Sequence, residues 1–151
     1  MTKINCFIPW TDAAGMGKLA TELLALEPVN RVVVVGTEGN EQLPEGCESL
    51  ETEAPRSSET IRQIAKRSRD ADYVLLITSE SPVQLGMFAL ERFVSVAADT
   101  GAQVLYADFF DRVGGRRIPH PVIDYQEGSL RDDFDFGPLL FLDAAAMREA
   151  V

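Results

Sequence analysis

Four consecutive valines, Val32–Val35, closed by Gly36, constrain the fold of this chain more than any other feature. A short run that is apolar on both faces cannot sit on a half-solvated sheet. It suits a strand buried on both sides, as in a parallel sheet covered by helices. Similar runs recur at Ile4–Ile8, Tyr73–Ile77 and Gln103–Ala107. Between them the spacing turns helical. Met16, Leu19, Ala20, Leu23 and Leu24 predict a helix from a Thr11 or Asp12 cap to about Glu27, stopped by Pro28. Ser57 or Ser58 caps a second through about Arg69, with Ile61, Ile64 and Ala65 on one face. A third opens at Pro82 or Val83 and runs to about Asp99, with Leu85, Phe88, Ala89, Phe93 and Val96 as its stripe and Thr100-Gly101 as its end. Cys47–Leu50 fits a short edge strand.

Strands alternating with helices imply parallel pairing through right-handed crossovers. The expected fold is a doubly wound α/β domain: a mostly parallel, Rossmann-like sheet with helices on both faces, one domain over residues 1–151. Beyond Asp108 the regularity fades. Val113-Gly114-Gly115-Arg116 is a turn, Pro119–Tyr125 is extended, Asp132–Gly137 is an acidic loop, and Leu139–Leu142 is a last strand-like run. Asp143 caps a final helix, Ala144–Val151, whose pattern stops without a cap. We therefore expect that helix to have an unfilled apolar side, covered by a second copy in a homodimer or by a missing carboxy-terminal domain.

Charge and targeting narrow the function classes. Acidic residues number 24 and basic ones 14, a net −10, which argues against a general nucleic-acid binder or docking on anionic lipid. The first ten residues make no signal peptide, and no apolar stretch approaches the ~18 residues that span a bilayer. A cytoplasmic protein is expected. Cys6, Cys47 and the single His120 are too few for a zinc site, and Cys6 reads as a small buried hydrophobe.

No nucleotide fingerprint is present. Gly15-Met16-Gly17-Lys18 has Asp12 where a phosphate loop needs its first glycine and Leu19 where it needs Ser or Thr. In doubly wound sheets ligands bind outside the carboxyl ends of the strands, so the residues after each strand matter most. These include Pro9, Trp10, Thr11 and Asp12, then Gly36, Thr37 and Glu38, then Thr78, Ser79 and Glu80, then Asp108 and Asp111. The carboxylates on this rim suit a divalent cation or the edge of a base, or are ordinary loop polarity. His120 has Asp124 as its sequence-local carboxylate and reads as a plain surface or core residue.

Several phrases resemble the amino-terminal, GT-A-like part of bacterial family-2 glycosyltransferases. They are Asn5–Pro9, Ser58–Arg62, Ala71–Leu76, Leu85–Phe93, Leu105–Asp108, Pro121–Gln126 and Gly128–Phe134. The resemblance implies a nucleotide-sugar donor lying across Pro9, Trp10, Glu38, Thr78, Ser79 and Glu80, with Arg62 near a phosphate. It implies Mn or Mg held by an Asp-x-Asp, but that position reads Thr78-Ser79-Glu80, so Glu80 is the one candidate metal ligand and metal dependence should be weak. The family's catalytic base lies beyond the position matching Val151. Asp108, Asp132 and Asp133 are acceptor-facing or metal candidates, and none matches that base. The acceptor would be a glycan or a lipid-linked sugar. Two readings follow: a sugar-transferring domain incomplete as given, or a non-catalytic domain of the same fold that packs against a partner. A third is a small-ligand binder of flavodoxin-like topology.

Overall fold

The computed structural model describes residues 1–11, 14–36, 43–128 and 130–151. Six strands form the main sheet: β1 (Ile4–Pro9), β2 (Val29–Gly36), β3 (Glu48–Glu51), β4 (Tyr73–Ile77), β5 (Val104–Leu105) and β8 (Leu139–Asp143). Their order is β3-β2-β1-β4-β8-β5. The first four are parallel, and β8 runs antiparallel to both β4 and β5. A separate antiparallel hairpin joins β6 (Phe109–Val113) to β7 (Arg116–His120).

Helices α1 (Ala14–Leu24) and α3 (Ala89–Thr100) cover one face, and α2 (Ser58–Arg67) and α4 (Ala144–Ala150) the other. Alternation along β1 assigns the faces. Ile4, Cys6 and Ile8 pack with Met16, Leu19, Ala20 and Leu23 of α1 and with Leu90 and Ala97 of α3. Phe7 points the other way, with Val33, Val35, Leu50, Ile64 and Met147. Phe141 stacks between Tyr73 at 4.9 Å and Phe93 at 5.2 Å. The Cys6 thiol is wholly buried, and burial pushes its pKa up, so it behaves as the small hydrophobe expected.

Several expectations are corrected. The third helix begins at Ala89, not at Pro82 or Val83, and its buried residues are Leu90 and Ala97; Phe88, expected in the stripe, is a left-handed cap at φ 58° and mostly exposed. Segment 82–86 instead crosses the amino end of α1, where a Cβ on Gly15 would overlap Pro82, while Val83 and Leu85 pack onto the core. That close approach explains Gly15 without a phosphate loop. The Gln103–Ala107 strand shrinks to Val104–Leu105 at the sheet edge, where burial on both faces is lost. The final helix forms as expected, but its apolar side is filled: Ala144 and Met147 are buried beside α2, so the ground for expecting a partner copy there is gone.

Candidate functional site

The sheet order reverses between β1 and β4. The chain builds outward from β1 through β2 to β3, then returns to the far side of β1 as β4. Loops after two strands at such a reversal diverge and leave a crevice at the carboxyl ends. Pro9, Trp10 and Thr11 stand at this end of β1. The Trp10 N–H donates to Val35 O at 2.8 Å, and Gly36 makes room for Trp10, whose Cβ would lie 3.3 Å from an added one. Thr11 Oγ1 donates to Glu80 O at 3.2 Å, so the β1 and β4 exits are tied across the reversal.

Thr78 and Ser79 follow β4. Their N–H groups donate to Pro138 O at 2.9 and 3.4 Å, and Thr78 Oγ1 donates to Gly137 O at 2.9 Å. These contacts tie the β4 exit to the strand that runs beside it. Ser79 Oγ closes a local turn with Ser81. Glu80 Oε1 meets Arg56 Nη2 at 3.2 Å. Arg56 stands just ahead of Ser57, whose Oγ caps α2 by accepting from the Thr60 N–H. Buried Thr60 is anchored in turn, donating to Ala54 O at 2.8 Å.

The structure thus gathers Pro9, Trp10, Thr78, Ser79 and Glu80 at one edge. Glu38, like Thr37 and Asp12, lies outside the described residues. Arg62 sits on the second turn of α2 with Glu59 Oε2 3.7 Å away. The cation that reaches Glu80 is Arg56, which sequence reasoning missed; its one signal was its place directly before a predicted helix cap. Asp108 Oδ1 accepts from the Val122 N–H at 2.8 Å, Asp133 lies 3.3 Å from Arg131, and Asp132 is exposed. None of these three is joined to the β4 exit by a described hydrogen bond or ion pair. Among the described residues no group of three or more His, Cys, Asp or Glu could hold a metal ion. With Glu80 paired to a guanidinium, a metal would have to compete for it, and the described residues do not assemble a ligand set.

His120 departs from its expectation. Its partners are Asp111, with Oδ2 2.9 Å from Nδ1, and Asp135, with Oδ2 3.3 Å from Nε2, rather than Asp124. No helix of the described residues is long and apolar enough to cross a membrane.

No protein-family model matches the chain, and no curated protein matches it in sequence. Solved structures do resemble it. One is a CMP:2-keto-3-deoxy-manno-octonic acid synthetase complexed with CTP, at 10% identity and a TM-score of 0.59, covering 99% of this chain and 76% of that one. Another is a 4-diphosphocytidyl-2C-methyl-D-erythritol synthase from Anaerococcus prevotii, at 9% identity and 0.57, covering 98% and 73%. At this identity the likeness establishes the fold alone, a Rossmann-like α/β fold with a mostly parallel sheet.

Proposed function

We propose that this chain is the nucleotide-binding domain of a transferase, taking a nucleotide-sugar or related cytidine nucleotide at the β1/β4 crevice. The observation that carries the reading is the strand reversal between β1 and β4, with Trp10–Thr11, Thr78–Glu80 and Arg56 converging at its mouth. The two structural neighbours lend support, because one is complexed with CTP and the other is named for a diphosphocytidyl product. In this reading Pro9 and Trp10, with Glu38, frame the base. Arg56 leaves Glu80 to meet the phosphates, with Arg62 as a second cation. An exposed pair such as Arg56–Glu80 is worth little on its own, so releasing it costs little. The acceptor of the transferred group would be a glycan or lipid-linked sugar, as the family-2 resemblance implies.

The test is titration of uridine, guanosine and cytidine diphosphates and of CTP, with and without manganese, read by calorimetry and by the shift in melting temperature. A ligand at a hundred times its Kd stabilises the fold by about 2.7 kcal/mol. Binding is expected with weak metal dependence. Arg56→Ala should cost about 1.5–3 kcal/mol of binding through a lost charged hydrogen bond, more than Arg62→Ala, with Glu80→Ala modest. A second reading, the same fold without catalysis, is favoured by the lone carboxylate at the β4 exit and by the engagement of Asp108 with backbone. No binding of any of these nucleotides at millimolar concentration would decide for it.

A further inference from the structure

Segment 106–138 leaves the sheet after β5 and returns to it as β8. A cluster of the Tyr106, Phe134 and Phe136 rings and a few polar contacts fix it. The Tyr106 hydroxyl donates to Ile123 O at 2.8 Å, Asp108 holds the Val122 N–H, and Arg112 Nη2 donates to Gln84 Oε1 at 2.9 Å. A further anchor is His120, at the end of β7. One ring nitrogen meets Asp111 of β6 and the other meets Asp135 of the acidic loop, while the ring stacks on Phe109 at a centroid distance of 4.3 Å. Phe109 in turn seats on Gly137, where a Cβ would come within 3.1 Å of its ring. Gly137 and Pro138 supply the carbonyls that hold Thr78 and Ser79. A chain of contacts therefore runs from His120 to the β4 exit.

We propose that His120 is a positioning residue: as an imidazolium bridging Asp111 and Asp135 it fixes the 131–138 loop, and through Gly137 and Pro138 the β4 exit, and this hold loosens when the ring loses its proton. The inference does not depend on which ligand the crevice takes. Only the charged ring donates from both nitrogens at once. A neutral ring donates from one and turns a lone pair toward a carboxylate oxygen at the other. The charged groups facing the ring are Asp111 from β6 and Asp135 from the loop. On its own strand, alternation puts Arg116 on the same face four positions away. The hydrogen bond to Asp111 is the main influence holding the His120 pKa above its ordinary value; desolvation opposes it, and the charges of both carboxylates and the contact with Asp135 add to the rise. A group whose pKa is raised on folding contributes fully below its unfolded value, 6.5 here, and the contribution is lost as pH rises through the folded value.

The chain has a single histidine, so its ring signals in proton NMR need no assignment by mutation. We expect a midpoint above 6.5, lowered by Asp135→Asn and by Asp111→Asn in turn. The Thr78 and Gly137 amide signals should move with that same midpoint. They should lose the transition in His120→Gln, and in His120→Arg, a permanently charged donor, they should keep their low-pH positions to pH 8. An ordinary midpoint that ignores Asp135→Asn, or Thr78 and Gly137 signals that do not follow the ring, would overturn the proposal.

Discussion

Strand β1 and each strand of the β6–β7 hairpin are near in length and opposite in environment. From Ile4 to Ile8 no residue of β1 is more than 1% exposed, whereas Phe110, Val113 and Ile118 of the hairpin are 62, 60 and 47% exposed. The sheet is held by burial, an effect spread over many contacts and indifferent to pH. The 106–138 segment is held by its own strand pairing, by a few ring contacts such as Tyr106 against Phe134 and Phe136, and by single polar contacts that each depend on one or two atoms. The lesson is that damage in the sheet should be global, and damage in the segment local.

The largest effect should come from the sheet. Phe141→Ala removes a ring stacked between Tyr73 and Phe93 and leaves a cavity beneath α3. A loss of about 3–5 kcal/mol is expected in denaturant unfolding. A loss below 1 kcal/mol would show that β8 is not held by burial as β1 is.

Next in size is the polar cluster at the amino ends of the strands. Asn5 is fully buried, yet its amide is satisfied: Nδ2 donates to Arg67 O and Asp70 Oδ1, and Oδ1 accepts from Asn30 Nδ2. Asn5→Ala strands these partners and should cost about 1–3 kcal/mol. The same cluster makes the sheet sensitive to acid. Partial burial pushes Asp70 up, but hydrogen bonds from Asn5 and Asn30 and the charge of Arg31 outweigh it and leave its pKa lowered. Its contribution is therefore present above the unfolded value of 3.8 and lost as pH falls through the folded one. Acid unfolding of wild type and Asp70→Asn, compared between pH 5 and 2, checks this; the variant should show the shallower loss.

The contrast also explains what could be read from sequence. Val32–Val35 and Ile4–Ile8 declare buried strands because their surroundings, Asn5 apart, are apolar, so type and layer follow from the residues alone. Leu139–Leu142 was legible for the same reason, although its antiparallel direction is set by the excursion before it. The start of α3 was not legible: Leu85 satisfies helical spacing but spends its apolar side chain in an extended segment, which passes so close to α1 that Gly15 is needed beneath Pro82. At the reversal between β1 and β4, the residues ending those strands were legible as strand exits. Arg56 was not, since its approach to Glu80 depends on the path of a loop. The partners of His120, nine positions before it and fifteen after it, depend on hairpin register and on how the loop folds back.

Within the segment, Gly137→Ala should act locally. Gly137 sits at φ 81°, which disfavours any side chain, and its Cβ would press on Phe109. A loss of roughly 1 kcal/mol is expected from the backbone conformation. The Thr78 and Ser79 amides should exchange faster, while those of β1 keep wild-type protection. Equal loss of protection in β1 would mean that the segment and the sheet unfold as one unit.

The smallest effect should come from the hairpin's outer face. Phe110 pairs across the ladder with Pro119, on the opposite side of the strand from Phe109 and Asp111, which face His120. It is large, aromatic and mostly in water, so the folded state gains little by keeping it. Phe110→Ser should change stability by no more than about 0.5 kcal/mol in the same denaturant assay that reads Phe141→Ala. It should also leave the titration of His120 unmoved, because the substituted side chain leaves the ring's neighbours in place. A loss above 1.5 kcal/mol would mean that the hairpin is buried in solution against another surface, and the distinction between a sheet held by burial and a segment held by point contacts would fail at its most exposed aromatic residue.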